Sequence, residues 1–366
     1  MTFKPTRRTV LTGMGIAGVA GLCAPGLIRP ARAASGELNI WAYDGFITDA
    51  FRRRFEDETG IRLNIRTVTD QGEQFNLMAA EDGKFSADIV TCAGHRFYQF
   101  IDAGFLAPID RAKLGNWNRI EDEYASASWV SRSGEQWGVP LVVVSTGLLY
   151  NTEEIEAPES WDVMFNEANA GRTAYQIQDF FQIAMNYLGY DGSAASYMNT
   201  PDVAQRAVDA TRDFLIEHKH MVRRYYEAAT EIQQMMVTGD VALAQAGSGP
   251  SSQLIIDGFP AAYTIPREGG LAYAYGFNIT KDAANMENAY TFLNALLADA
   301  ENGAEIVRST GLSSTIKGTE ALLTDQEKEA LALSAEERSR LSWVDVETAP
   351  FIFDLIDKAA EEIRAA

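Results

Sequence analysis

Residues 38–91 read LNIWAYDGFITDAFRRRFEDETGIRLNIRTVTDQGEQFNLMAAEDGKFSADIVT, and their periodicities decide the fold class. Leu38-Asn39-Ile40-Trp41 is short and half-apolar, as a strand is. After it, Ile47, Ala50, Phe51 and Phe55 recur at helical spacing, and Gly60 stands where a helix would stop. Arg62-Leu63-Asn64-Ile65-Arg66 alternates with period two. Phe75, Met78 and Ala79 mark the inner face of a second helix, and Ala87-Asp88-Ile89-Val90-Thr91 reads as a buried strand, followed by a helix from Phe97 to Ala103. This βαβαβ order predicts an open, mostly parallel sheet covered on both faces.

Outward from that core, Val139 to Tyr150 is a long apolar run. Pro140 and Gly147 within it argue against one continuous strand and suggest a crossover between two domains. The α/β alternation then resumes. Ser160-Trp161 caps a short helix, Phe180–Leu188 is amphipathic, and Val203–Ile216 is a longer helix. Val241–Ala244 is a strand running into Gly247-Ser248-Gly249-Pro250-Ser251. Tyr263–Pro266 leads through Gly269-Gly270 into Ala274–Ile279, which reads as the return crossing. Helices dominate from Ala283 onward, including the charged stretch Thr324–Leu341. Two α/β lobes joined by two crossings form a clamshell, in which ligands sit beyond the carboxyl ends of the strands.

The first 33 residues decide where the protein works. Thr6-Arg7-Arg8-Thr9-Val10-Leu11 opens a glycine-broken apolar stretch ending at Leu27, and Ala31 and Ala33 match a small-x-small cleavage site. The pattern predicts a twin-arginine export signal cut after Ala33, and hence a periplasmic protein. The stretch is a poor spanning helix, which needs roughly 20 apolar residues. A lipid anchor is disfavoured too, because Cys23 follows Leu22 where a lipobox takes a small residue. Five of the 31 basic residues lie in this segment against none of the 51 acidic ones, so the remainder carries a net charge of −25. Such a surface repels nucleic acid and anionic lipid and favours cations. With Cys23 removed, Cys92 is the only thiol and no internal disulfide forms. The remaining chain, about 333 residues, exceeds what one hydrophobic core usually fills.

In order and spacing the chain resembles the extracellular solute-binding proteins of importers, and most closely the spermidine/putrescine-binding family. The resemblance runs from Leu38 to Ile363. It rests on Phe55-Glu56-Asp57-Glu58-Thr59-Gly60-Ile61, Asp88-Ile89-Val90, Trp137-Gly138-Val139-Pro140 and Leu149-Tyr150-Asn151. Ser160-Trp161, Phe181-Gln182, Leu188-Gly189-Tyr190 and Pro266-Arg267-Glu268-Gly269-Gly270 add to it. It implies the type II periplasmic-binding-protein clamshell, an α/β fold of two lobes, each a mostly parallel sheet flanked by helices. The expected division is a signal at 1–33, the first part of lobe 1 at 34–143 and lobe 2 at 144–268. The return crossing, the rest of lobe 1 and the C-terminal helices fill 269–366. The implied protein is a monomer that captures a small amine without a cofactor or metal. It then docks on the permease subunits of an ABC importer.

Family positions carry over unevenly. Tyr43 holds the place of an aromatic after the first strand, Phe46 that of a second, and Asp179 that of a carboxylate opening the second lobe's first helix. The partner acid one turn earlier is Gln176, an aromatic after the middle strand is Gln245, and the family's Trp-x-Asp reads Tyr273-Ala274-Tyr275. Loss of that last acid removes the resemblance's main ammonium anchor, which a shorter or singly charged amine tolerates better than a long polyamine.

The residue types make sense without the family. A dry cleft holding an alkylammonium needs carboxylates for the charge and aromatic faces for the methylenes. One cation–π contact contributes roughly 0.5–2 kcal/mol against the about 8 kcal/mol of micromolar binding, so several residues must act together. Structural roles compete at each position. Tyr43 and Asp44 suit a strand-to-helix turn, Tyr273 and Tyr275 a packed strand face, and Asp179 and Glu73 the acidic first turn of a helix. Trp343 and Asp345 suit a lid or an anchor for the tail. Ser248, in the serine-rich segment before an apolar helix, offers either a cap or a site for a zwitterion or anion such as an aminophosphonate, with Ser145-Thr146-Gly147 as further donors. Tyr225-Tyr226 resembles the tyrosine pair of ferric-iron binders. Catalysis finds no support: His95, His218 and His220 form no constellation, the last two being i, i+2 on an expected helix, and no nucleophile elbow or dinucleotide fingerprint occurs. A purely structural or adhesion protein remains the third class, distinguished by the lack of a ligand-dependent hinge.

Overall fold

A computed structural model describes residues 36–366 apart from Asp70 and Asp82; the expected export signal lies outside the described residues. The opening stretch folds as its periodicities dictate. Strand β1 (Gly36–Ala42) leads into helix α1 (Asp49–Thr59), β2 (Ile61–Thr67), α2 (Gln71–Ala80), β3 (Ile89–Ala93) and α3 (Phe97–Asp102). Thr48 caps α1 by accepting the Phe51 N–H at 3.1 Å. Gly60 ends the helix at φ 71°, where a side chain would strain, and its N–H bonds the Glu56 carbonyl. The predicted inner residues Phe51 and Phe55 are buried, each edge-on to Phe292 at 5.7 Å.

A small hairpin, β4 (Ser131–Arg132) and β5 (Glu135–Gln136), precedes β6 (Val139–Asn151). Here the structure corrects the reading of a broken run: β6 is one continuous strand of 13 residues. Pro140 is tolerated because it sits one residue into the strand, opposite Gly276, where the partner's register shifts. Gly147 is required because a Cβ there would stand 2.6 Å from the Thr264 carbonyl.

The middle of the chain supplies β7 (Thr173–Tyr175), α4 (Ile177–Tyr187), α5 (Pro201–Glu217), β8 (Val222–Tyr225), α6 (Ala229–Thr238), β9 (Leu243–Gly247), α7 (Ser248–Ile256) and β10 (Ala261–Thr264). Then come β11 (Gly270–Ile279), α8 (Met286–Leu297), α9 (Ala300–Thr310), β12 (Ser313–Ser314), α10 (Asp325–Leu331), α11 (Ala335–Ser339), β13 (Leu341–Trp343) and α12 (Ala349–Ala365). Helix α5 stops at Glu217, so His218 and His220 lie beyond it rather than on it. The charged stretch Thr324–Leu341 holds two helices, α10 and α11. Ser334 and Glu337 close a second capping box ten residues after that of Thr324 and Glu327.

The sheet runs β2-β1-β3-β11-β6-β9-β7-β8. Its flanks, β2-β1-β3 and β9-β7-β8, are parallel; β11 and β6 join them antiparallel. Strand β6 pairs with β11 over its first half and with β9 and β10 over its second, so it belongs to both flanks. Two of the five apolar clusters among the described residues are the largest. One gathers Leu38, Ile40, Phe51, Phe55 and Leu63 with Phe292. The other gathers Trp161, Phe180, Ile183 and Leu215, and the last helix α12 enters it through Ile352 and Ile356. The fold is α/β, with parallel strands flanked by helices.

Candidate functional site

Strand register assembles the site. Across β6, Val144 faces Tyr273 and Thr146 faces Leu271, while Leu148 faces Gln245 on β9. Because side chains alternate and paired residues share a side, Tyr275, Tyr273, Thr146 and Gln245 project from one face of the sheet. Tyr43 follows directly on β1. Its ring lies 5.0 Å from that of Tyr275 and 5.7 Å from that of Phe46, and Phe46 is 5.5 Å from Tyr275. Tyr273 and Tyr275 stand edge to face at 5.8 Å. Four aromatic residues distant in the chain thus form one cluster.

Asp179 joins it from the first turn of α4, where free helix amides favour a carboxylate. The Tyr273 hydroxyl donates to it. Burial nevertheless outweighs that bond and pushes the Asp179 carboxyl up to about 6. The Tyr226, Tyr273 and Tyr275 phenols are raised well above their ordinary range by burial, with the Asp179 charge adding to each. A half-buried carboxylate among aromatic faces is poised to accept a positive charge, because an ammonium restores what desolvation took away.

Gln245 is fully buried. Its Oε1 accepts the backbone N–H of Gln176 at 2.9 Å, at the cap of the helix bearing Asp179, and its own carbonyl accepts the Tyr226 hydroxyl at 2.9 Å. Gln176 turns outward, its side-chain amide donating to the Glu227 carbonyl.

The remaining candidates are placed as follows. Asp44 is exposed in the turn after Tyr43. Ser248 opens α7 and its hydroxyl accepts the Ser145 N–H at 3.3 Å; Ser251 and Ser252 donate to the carbonyls of Gly247 and Ala330. Ser251 and Ser252 therefore spend their protons inside the protein, whereas Ser248 only accepts. Glu73 lies in the first turn of α2. Tyr225 and Tyr226 diverge, the former packing on Tyr175 at 5.2 Å and the latter reaching Gln245. Asp345 accepts the Thr348 N–H and hydroxyl and so fixes the turn into α12. Among the described residues no group of three or more His, Cys, Asp or Glu side chains is arranged to hold a metal, and no helix is long and apolar enough to cross a membrane.

Sequence reasoning missed a cavity of about 330 Å³ beside the cluster, lined by His95, Glu123, Tyr124, Trp129, Tyr273 and Trp343 among others. His95 follows β3, packs edge-on to Tyr273 at 5.5 Å, and burial lowers it to about 3, so it is neutral. Its position beyond the carboxyl end of a strand was the available signal. Gly94 lets Trp129 close the wall: a Cβ there would stand 2.6 Å from the Trp129 Cβ.

With this geometry in hand, comparison with known proteins is informative. The sequence profile of the bacterial extracellular solute-binding proteins matches residues 50–333. The chain belongs to that family. It is 25% identical over 287 residues to the putrescine/agmatine-binding protein of Pseudomonas aeruginosa, covering 72% of this chain and 74% of that one. It is also 25% identical over 301 residues to the putrescine-binding periplasmic protein PotF of Escherichia coli, covering 76% and 78%. The fold superposes on the spermidine/putrescine ABC transporter substrate-binding protein PotD of Streptococcus pneumoniae with a TM-score of 0.73 at 21% identity, over 90% of this chain and all of that one.

Proposed function

We propose that this extracellular solute-binding protein captures a small cationic amine of the polyamine class and delivers it to the permease subunits of an ABC importer. The observation that carries the reading is the placement of Asp179, desolvated and bonded by Tyr273, against the ring cluster of Tyr43, Phe46, Tyr273 and Tyr275. An alkylammonium answers both features, its charge meeting the carboxylate and its methylenes the rings. The putrescine-binding relatives support the same class.

Capture is by closure of two lobes, residues 34–143 with most of 269–366 against 144–268, about the shared strands β6 and β11. Closure requires that the ligand bind the closed arrangement better than the open one. Tyr43 and Phe46 come from one lobe and Asp179 and Gln245 from the other, so a bound amine contacts both. Asp44 extends the rim and Ser248 steadies β6 beneath it. The site of action is the periplasm, reached through a twin-arginine signal at residues 1–33. The buried thiol of Cys92 needs no oxidising compartment. The protein works as a monomer and carries out no chemical step. The anion reading loses ground because Ser251 and Ser252 spend their protons on the Gly247 and Ala330 carbonyls.

The test is a thermal-shift screen of residues 34–366 against putrescine, spermidine, short monoamines, amino acids, an aminophosphonate and ferric citrate. A ligand at a hundred times its Kd adds about 2.7 kcal/mol of stability, enough to read. A shift with amines alone is expected; a shift with the phosphonate or iron alone overturns the proposal.

A further inference from the structure

Gln245 holds one polar group that no described residue satisfies. A backbone N–H can only donate, so the atom of the Gln245 amide facing the Gln176 N–H at 2.9 Å must be the oxygen. The amide nitrogen therefore points the other way, and Gln245 Nε2 is buried without a hydrogen-bond partner among the described residues. The side chain itself is fully buried, at the register position that shares a face with Thr146 and Tyr273. Its clamp, Gln176, is the cap of α4 three residues ahead of Asp179, and the Tyr226 hydroxyl that holds the Gln245 carbonyl senses the Asp179 charge. A free donor thus sits on the strand face that carries Tyr273, and its clamp opens the helix that carries Asp179.

Resting on the amine reading above, we infer that the ligand carries a neutral oxygen, a hydroxyl or a carbonyl, near the ammonium that Asp179 receives, and that Gln245 Nε2 donates to this oxygen. A plain diamine offers only N–H groups at that end and leaves the buried donor unmade, which is costly. A ligand carboxylate would accept the bond but would sit beside the Asp179 carboxylate, where like charges repel. A neutral oxygen satisfies the donor without that repulsion. The occupant is therefore an amino alcohol or an amino amide rather than an unsubstituted polyamine.

Isothermal titration at pH 8 of two matched pairs decides this: putrescine against its 2-hydroxy derivative, and butylamine against 4-aminobutanamide. In the native protein the oxygen-bearing member of at least one pair binds roughly tenfold tighter, the effect of filling one buried donor. Gln245→Leu abolishes the preference. Gln245→Glu, which still accepts from Gln176 but offers an acid where the donor was, turns the preference toward the plain diamine; thermal melts confirm that both variants fold. Equal affinities within both pairs, or a preference that survives Gln245→Leu, overturn the inference while leaving the amine reading intact. Failure of all four amines to bind the native protein overturns both.

Discussion

Replacing Asp179 by asparagine tests the site through its pH dependence. In the free protein burial places the carboxyl at about 6, so at pH 5 only about one molecule in ten carries the charge, and at pH 8 nearly all do. Small alkylamines stay protonated over that whole range. If the amine binds the ionised carboxylate, affinity at pH 5 is about tenfold weaker than at pH 8, a difference of about 1.4 kcal/mol. Asp179→Asn removes the charge at every pH: its affinity at pH 8 falls tenfold or more, and the dependence between pH 5 and 8 disappears. The unliganded protein shows the opposite sign. The native-state pKa lies above that of the unfolded chain, so the native state holds the proton more tightly, and Asp179 costs stability increasingly as pH rises from about 4 through 6. Asp179→Asn therefore melts higher than the parent at pH 8 and equally at pH 4. Calorimetric titration with putrescine at half-unit pH steps, together with thermal melts without ligand, reads both effects. A flat affinity profile in the parent, or one that Asp179→Asn reproduces, refutes the placement of an ammonium on this carboxylate.

Tyr273→Phe deletes the hydroxyl that lowers the Asp179 carboxyl, so the midpoint of the same affinity profile moves to higher pH and affinity near pH 6 falls more than affinity at pH 8. His95→Gln leaves that midpoint where it is, since burial keeps His95 neutral throughout pH 5 to 8; a shifted midpoint would show that the histidine titrates with the ligand. Gly94→Ala drives a methyl against Trp129 and lowers stability by about 1–3 kcal/mol in urea unfolding, whereas Gly104→Ala, with open space around it but φ of 71°, costs about 1 kcal/mol. Trp161→Ala empties a fully buried position and breaks the indole bond to the Gly269 carbonyl at 2.8 Å; its cost is about 3–5 kcal/mol, and an unchanged urea midpoint would refute the second core as drawn.

Local patterns in the chain carried much of this structure. Phe51 and Phe55 announce a buried helical face, Arg62–Arg66 a half-buried strand, and Ser160 a cap, because helix and strand periods and capping are set by neighbours in sequence. The resemblance brought Tyr43, Phe46, Asp179, Gln245, Tyr273 and Tyr275 forward as candidates, although they are spread over more than two hundred residues. What local pattern cannot contain is how such residues meet. Pro140 and Gly147 look like breaks until the register shift at Gly276 shows how one strand tolerates the first and the crowding Thr264 carbonyl why it requires the second. The start of α7 offers serines to an anion until the Gly247 and Ala330 carbonyls take the Ser251 and Ser252 protons. His95, with no constellation in the sequence, gains its neutral form and its place in the cavity only from Tyr273, Trp129 and Phe353 around it. Composition and periodicity thus determined an α/β chain with a large acidic excess. The charge state of Asp179 and the unsatisfied amide of Gln245 were decided by tertiary structure alone, because desolvation and hydrogen-bond satisfaction depend on what lies across space rather than along the chain.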